Sequence, residues 1–244
     1  MRNNIKLLIS PKTVEEAKIV ISAKVDLIDC KNPKEGSLGA NFPWIIREMK
    51  TLIPNNSDQL LSATIGDFPN LPGSASLAAL GAAVSGADII KVGLKGPQNV
   101  EQGISLMQNV VKAVKNYDKN IWIVTAGYAD YRRMGSNLDY LSIPTIASES
   151  GAEIAMLDTY IKDEKGLFDF LNVNELIEFK KKAHQLNLKV ALAGNIRQNV
   201  LPNIRKINPD IIGIRSMVCE RHDRNNGKIR LELIENLKAE LFFN

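Results

Sequence analysis

Eight short apolar runs, separated by longer segments with helical periodicity, are the feature of this sequence that most limits its fold. The runs cover residues 5–10, 27–31, 61–67, 89–94, 122–129, 154–159, 189–194 and 211–216. Most are too short to form helices and several are bounded by glycine or proline, which is typical of buried strands. Eight alternations of strand and helix predict a parallel sheet with helices packed outside it.

The segments between the runs are predicted helices. They cover residues 14–23, 41–49, 75–85, 100–117, 139–150, 173–186, 199–207 and 228–241. Thr13 precedes the first helix and Glu16 lies three residues further on, which is the spacing of a capping box. Pro43 falls in the first turn of the second helix, where proline is tolerated. Pro144 lies inside the fifth segment and disfavours a helix there.

Eight strand–helix units favour a closed (β/α)8 TIM barrel of the α/β class over an open doubly wound sheet. About 250 residues is typical of such a barrel, and the chain has 244. The turn after the first run, residues 10–12, lacks the glycine-rich fingerprint that opens a dinucleotide-binding sheet. No break in composition divides the chain, so we expect a single TIM-barrel domain over residues 1–244.

Composition excludes several other classes of protein. The net charge is only +4 and the basic residues are scattered, which argues against nucleic acid as a partner and fits an anionic metabolite. Cys30 and Cys219 lack CxxC spacing, so neither a disulfide framework nor a metal site is expected. No apolar run reaches 18 residues and no signal-peptide core is seen, so we expect a cytoplasmic protein without membrane contact.

Charged side chains occur at the ends of several runs, where a barrel forms its active site. Asp29 and Lys31 end the second run, Lys91 lies within the fourth, and Asp158 ends the sixth. Side chains alternate along a strand, so Asp29 and Lys31 share a face while Cys30 points to the helices. An acid and an amine at the end of an apolar strand are costly to bury without a purpose.

Two lysines inside apolar runs, with carboxylates on neighbouring runs, indicate amine chemistry. A free lysine has a pKa of about 10.4, so only about 0.1% is neutral at pH 7.4. A second ammonium or partial desolvation lowers that pKa, and the neutral amine can then attack a carbonyl. We therefore select Lys31, Lys91, Asp29, Asp158 and Lys162 as candidate catalytic residues, and we expect no metal and no organic cofactor.

Each of these residues also has a purely structural interpretation. A strand lysine can pair with a carboxylate in the barrel floor, and Lys162 can be an ordinary solvated charge. Asp29 and Asp158 can be counter-ions of the lysines. Asp67 begins a proline-rich loop and fits a turn residue as well as a catalytic one.

The ends of the last two runs predict a phosphate site. Gly194 and Asn195 follow the seventh run, and Arg215 and Ser216 end the eighth. Many barrels bind phosphate at this point through backbone N–H groups. The alternative is that the glycine only turns the chain.

Two other loops bear on the same question. The polar residues 223–227 can cap the last helix or donate to a phosphate, and we favour the cap. Gly36 and Gly39, in the loop after the second run, are expected to let the backbone approach a phosphate closely.

Six motifs together resemble the (5-formylfuran-3-yl)methyl phosphate synthase family. They are residues 29–41 (DCKNPKEGSLGAN), 74–82 (SASLAALGA), 90–94 (IKVGL), 156–159 (MLDT), 167–170 (LFDF) and 223–227 (DRNNG). The resemblance runs nearly from end to end, and the first motif is long enough to be specific.

The resemblance implies a class I aldolase-like barrel that condenses two molecules of glyceraldehyde 3-phosphate. One phosphate and two waters are lost, and the furan produced is a precursor of methanofuran-type cofactors. The family's pattern implies that Lys31 forms the Schiff base and that Lys91 accepts a proton. It also implies that Asp29, Asp158 and Lys162 line the same site.

Two other functions stay open at this point. One is another Schiff-base aldolase acting on a sugar phosphate; the other is a non-catalytic barrel that binds a phosphorylated metabolite or a regulatory protein. The expected partner is a small phosphorylated triose. Barrels often associate, so a homo-oligomer is also an expected state.

Overall fold

The computed structural model describes residues 5–242, and in them eight parallel strands close into a barrel. The strands are β1 (Lys6–Ile9), β2 (Leu27–Cys30), β3 (Leu60–Asp67), β4 (Ile89–Gly93), β5 (Trp122–Tyr128), β6 (Ile154–Asp158), β7 (Lys189–Leu192) and β8 (Ile211–Ile214). Each strand pairs with the next one in the chain, and β8 pairs with β1 to close the barrel. The predicted TIM barrel is confirmed; residues 1–4 and 243–244 of the predicted domain lie outside the described residues.

Eight α-helices alternate with the strands within residues 5–242. They are α1 (Val14–Ser22), α2 (Pro43–Leu52), α3 (Pro72–Val84), α4 (Val100–Tyr117), α5 (Ser142–Ser150), α6 (Val173–Gln185), α7 (Leu201–Ile207) and α8 (Leu231–Phe242). The fifth helix begins three residues later than predicted, which places Pro144 in its first turn, where no intrahelical N–H is required. The last helix also begins three residues late, because Ile229 forms an antiparallel β-bridge with Cys219.

Alternating side chains of the strands form two apolar layers. The outward side chains, with Ile28 and Cys30 among them, pack against the helices, and the inward ones fill the barrel. The prediction that Cys30 faces the helices is confirmed, and burial raises the pKa of its thiol to about 12. The thiol is therefore chemically inert at neutral pH.

The inward rows change from apolar to charged toward the carboxyl ends of the strands. In β2 the inward sequence is Leu27, Asp29 and then Lys31 just beyond the strand, and in β4 it is Ile89 and then Lys91. The lower barrel is thus an ordinary apolar core. The charged groups are confined to one end, which is where the site lies.

Glu16 forms only half of the predicted capping box. Thr13 Oγ1 accepts a hydrogen bond from the Glu16 N–H at 3.2 Å, as an N-cap should. The Glu16 carboxylate, however, accepts from the Lys12 N–H at 2.7 Å and lies 3.0 Å from Arg215 Nη1. The first helix is therefore tied to the residue that follows β8.

Candidate active site

The carboxylate of Asp29 is the centre of the candidate site. It is 1% exposed; Oδ1 lies 2.6 Å from Lys91 Nζ, and Oδ2 lies 3.9 Å from Lys31 Nζ. Oδ2 also accepts a hydrogen bond from Ser10 Oγ at 2.7 Å. Burial would raise the pKa of this carboxyl, but Lys91, Lys31 and the hydrogen bonds outweigh it and hold the pKa below its usual value. Asp29 therefore stays ionised and joins the ends of β1, β2 and β4.

Lys31 lies in surroundings that favour its neutral amine. Desolvation is the largest influence, and the Lys162 and Lys91 ammonium groups add to it. The carboxylates of Asp29 and Asp158 act in the opposite direction, and the net result lowers the pKa of Lys31 to about 8. At pH 7.4 an amine with that pKa is about 20% neutral, compared with about 0.1% for a free lysine.

Lys91 is the buried counter-ion of Asp29. It is 1% exposed, and among the described residues it contributes nothing to the wall of the cavity that the other candidate residues share. Its 2.6 Å ion pair agrees with the alternative that a strand lysine pairs within the barrel. It also places Lys91 and Lys31 beside different oxygens of the same carboxylate, that of Asp29.

Asp158 and Lys162 form the second charged pair of the site. Lys162 Nζ lies 2.7 Å from Asp158 Oδ1 and also donates a hydrogen bond to the Thr159 carbonyl. Burial opposes ionisation of Asp158, but Lys162, Lys31 and the Thr159 N–H lower its pKa to about 2. Lys162 is therefore fixed by its partners and is not a freely solvated charge.

A small cavity of about 30 Å³ connects these groups at the carboxyl ends of the strands. Its polar lining consists of Ser10, Asp29, Lys31, Asp158, Lys162, Gly194, Asn195, Arg215, Ser216 and Arg224. All of the predicted site residues except Lys91 therefore meet in one place. Within residues 5–242, no group of three or more His, Cys, Asp or Glu side chains could hold a metal ion.

Arg215 lines the cavity, but its donors are bound by the protein itself. Nη1 donates to the Ser10 carbonyl at 2.6 Å and pairs with Glu16, and Nε donates to the Arg224 carbonyl at 3.1 Å. Arg215 therefore fastens the end of β8 to β1, to α1 and to the following loop. The expectation that its guanidinium binds phosphate stays a prediction.

Gly194 and Asn195 shape the cavity wall between β7 and α7. Gly194 has φ +106°, and a Cβ there would lie 3.0 Å from Thr159 N, so glycine is required. Asn195 has φ +45°, and its Nδ2 donates to the Glu164 carbonyl at 2.9 Å. The Asn195 side chain therefore holds the loop after β6, and both residues line the cavity.

The loop of residues 32–41 covers the opposite side of the barrel mouth. Leu38 is fully buried in the inward-facing apolar cluster, and its N–H donates to Asp67 Oδ2 at 3.3 Å. Ser37 Oγ donates to the Thr159 carbonyl at 2.9 Å, and Thr64 Oγ1 donates to the Gly39 carbonyl at 2.7 Å. The open cavity is consequently restricted to the side formed by β1, β2, β6, β7 and β8.

Asp67 anchors this loop. Its second carboxylate oxygen accepts from the Tyr128 hydroxyl, and burial raises the pKa of the Asp67 carboxyl. A Cβ at Gly36 would lie 2.8 Å from Asp67 Oδ2, and one at Gly39 would lie 2.2 Å from Asn32 O. These glycines therefore allow close packing against a carboxylate and a carbonyl, while their expected approach to a phosphate stays a prediction.

Residues 223–227 do not cap the last helix, contrary to the favoured interpretation. Asp223 Oδ1 accepts from the N–H groups of Asn225 and Asn226 at 2.8 and 3.1 Å, which closes the loop on itself. Helix α8 begins four residues after this stretch. The loop instead directs Arg224 to the cavity. The available signal was the position of this polar loop after the eighth run.

The fold and the site together define a (β/α)8 enzyme with paired lysines and aspartates at the carboxyl ends of its strands. Residues 7–238 match the 4-HFC-P synthase family. The chain is 53% identical over 232 residues to (5-formylfuran-3-yl)methyl phosphate synthase of Methanocaldococcus jannaschii, covering 95% of this chain and 97% of that protein. It is 51% identical over 235 residues to the synthase of the same name from Methanosarcina barkeri, covering 96% and 98%. The chain belongs to the (5-formylfuran-3-yl)methyl phosphate synthase family, as its motifs indicated.

Solved structures with the same fold are more distant in sequence. A 3-hexulose-6-phosphate synthase has a TM-score of 0.68 at 16% identity, covering 97% of this chain and all of that one. KGPDC from Streptococcus mutans has a TM-score of 0.66 at 13% identity, covering 98% and 99%. At these identities the likeness supports the barrel fold alone. None of the helices in residues 5–242 is long and apolar enough to cross a membrane.

Proposed function

We propose that this enzyme condenses two molecules of glyceraldehyde 3-phosphate to (5-formylfuran-3-yl)methyl phosphate through a Schiff base on Lys31. The product would enter methanofuran-type cofactor biosynthesis in the cytoplasm. The observation that carries the proposal is the position of Lys31 in the cavity, with its pKa lowered to about 8, between Asp29 and Asp158. An amine of this kind is suited to attack an aldehyde.

The stoichiometry of the reaction sets what the cavity must hold. Two trioses supply all six carbons of the product, and the balance requires loss of one phosphate and two waters. One phosphate ester is therefore kept from substrate to product while the other leaves. The site needs a lasting phosphate contact as well as the reactive amine.

Formation of the Schiff base uses the groups on both sides of Lys31. The neutral Nζ attacks the aldehyde carbon of one triose, and the resulting carbinolamine loses water. The Lys162 ammonium, paired with Asp158 at 2.7 Å, supplies a proton to the departing hydroxyl. The cationic iminium is then stabilised by the ionised carboxylates of Asp29 and Asp158.

The carbon–carbon bond follows from a proton transfer next to the iminium. A proton leaves the adjacent carbon toward the Asp29–Lys91 pair, and the enamine that forms attacks the aldehyde of the second triose. The Lys162 ammonium stabilises the oxyanion that develops on that aldehyde. Elimination of phosphate, closure of the ring and loss of two waters complete the furan. Hydrolysis of the imine then frees Lys31 and consumes the equivalent of the water released when the Schiff base formed.

Borohydride trapping tests the proposal directly. The enzyme is incubated with glyceraldehyde 3-phosphate, reduced and digested, and the modified lysine is located by mass mapping. We expect the adduct on Lys31 and none in Lys31→Arg. Lys34→Arg, an exposed lysine in the same loop, serves as the matched control and should retain the adduct. An adduct confined to another lysine would contradict the assignment.

Product analysis separates the proposal from its alternatives. We expect furan absorbance to appear with one inorganic phosphate released per furan formed. A hexose bisphosphate as the product would identify another Schiff-base aldolase. Binding of the triose without adduct or product would identify a non-catalytic barrel.

A further inference from the structure

Arg224 is a cavity residue whose guanidinium has no anionic partner. It is half-buried, and within residues 5–242 no carboxylate forms an ion pair or a hydrogen bond with its side chain. Desolvation lowers the pKa of Arg224, with Asp158 acting in the opposite direction from a distance. A half-buried cation that faces a cavity without a partner is costly unless an anion binds there.

The protein holds Arg224 in place from the backbone side. Arg215 Nε donates to the Arg224 carbonyl at 3.1 Å, and Lys12 Nζ donates to the next carbonyl, that of Asn225, at 2.6 Å. Asp223 fixes the turn that follows by accepting two backbone N–H groups. Thus the loop backbone is restrained on both sides of Arg224, and its side chain is left for a ligand.

Other residues of the cavity lining offer further donors. The backbone N–H groups of Gly194 and Asn195 have no acceptor among the residues that the structure describes. Both residues line the cavity, as do Ser216 and Arg224. A guanidinium and unbonded backbone N–H groups contributed by residues that line one cavity are suited to the oxygen atoms of a phosphate ester.

We propose that Arg224 binds the phosphate monoester that the reaction retains, and that Arg215 only positions the Arg224 loop. This inference rests on the proposed function for the identity of the ester, a phosphorylated triose. Binding at Arg224 itself requires only a phosphate dianion. Selection of phosphorylated over unphosphorylated aldehydes is therefore assigned to Arg224.

Calorimetric titration of the full chain with inorganic phosphate tests the site without any catalysis. We expect saturable binding to the unaltered protein, and weakening of at least about tenfold in Arg224→Met, since bidentate charge-assisted hydrogen bonds are lost. Arg224→Lys should retain part of the affinity. Lys228→Met removes one exposed positive charge from the same segment and should leave binding unchanged. Equal weakening in Lys228→Met, full binding in Arg224→Met, or no saturable binding would each overturn the proposal.

A pair of aldehydes tests the same residue under turnover. Arg224→Met should raise KM for glyceraldehyde 3-phosphate by about 10- to 100-fold, whereas trapping of unphosphorylated glyceraldehyde on Lys31 should keep its rate. Equal loss with both aldehydes would indicate damage to the amine site and refute a phosphate role. If the unaltered enzyme makes no furan, the proposed reaction fails, while the phosphate titration still decides the role of Arg224.

Discussion

Replacing Asp29 by Asn should make the Lys31 ammonium much more acidic. Asp29 Oδ2 lies 3.9 Å from Lys31 Nζ, and both groups are buried. At an effective dielectric constant of about 20, that separation corresponds to about 4 kcal/mol of attraction. Loss of this attraction corresponds to roughly a 10³-fold change in acidity. The pKa of Lys31, lowered to about 8 in the unaltered protein, should then fall below about 7.

The change can be followed by reductive methylation with formaldehyde and cyanoborohydride between pH 5 and 10. This reagent is small and needs no substrate site, so the labelling midpoint reports the amine itself. We expect the Lys31 peptide of Asp29→Asn to be labelled at lower pH than that of the unaltered protein, while turnover falls because proton transfer is lost. Asp67→Asn is the matched control, since it removes a half-buried carboxyl that does not contact Lys31.

A second variant tests the same electrostatic effect on Lys31 if Asp29→Asn folds poorly. Lys162 lowers the pKa of Lys31, so Lys162→Met should move the labelling midpoint upward. Opposite shifts of the labelling midpoint in the two variants are expected if nearby charges set the pKa of Lys31. An unchanged midpoint in Asp29→Asn, or a shift of the same sign in both, would refute the electrostatic account.

Three further outcomes follow from contacts elsewhere in the barrel. The pKa of Lys31 is about 8 when folded and 10.5 as the ordinary value, so the unfolded chain binds more protons between these values. Urea titrations should therefore show a free energy of unfolding that rises by about 3 kcal/mol from pH 8 to 10.5, and Lys31→Met should lack that rise. Glu16→Gln leaves Arg215 buried without its counter-ion and should lower the free energy of unfolding by about 3–5 kcal/mol. Glu15 is an exposed neighbour, so Glu15→Gln should leave the urea midpoint unchanged. Leu38→Ala should lower the free energy of unfolding by about 2–5 kcal/mol and speed amide exchange in residues 32–41. Unchanged exchange would contradict the role of the Leu38 side chain in holding this loop.

Sequence reasoning succeeds for the barrel because its signal is repeated. Eight runs of similar length each report the same alternation, so an error in one boundary does not alter the topology. The start of the last helix was missed because Ile229 pairs with Cys219. That contact is tertiary, and no helix propensity reveals it.

In the candidate site, features set by neighbouring residues were predictable, and those set by long-range contacts were not. Asp29 and Lys31 were placed correctly on one face because two-residue alternation is local. The contacts of Arg215 could not be predicted, because its partner Glu16 lies 199 residues away in sequence. Only the closure of β8 on β1 brings the two together. Arg224 was not singled out within residues 223–227, because the lack of a carboxylate partner for its side chain is seen only once the carboxylates have been positioned.

The seam between β8 and β1, where Arg215 contacts Ser10, affects when the candidate site can form during synthesis. Arg215 reaches Ser10 across 205 residues, and Ser10 in turn holds Asp29. Such long-range contacts must await closure of the whole loop and form late in folding. A nascent chain that has emerged through β4 contains Lys31 and Lys91 but lacks both the seam and Asp158. We therefore expect the pKa of Lys31 to reach its lowered value only after nearly the entire polypeptide has left the ribosome.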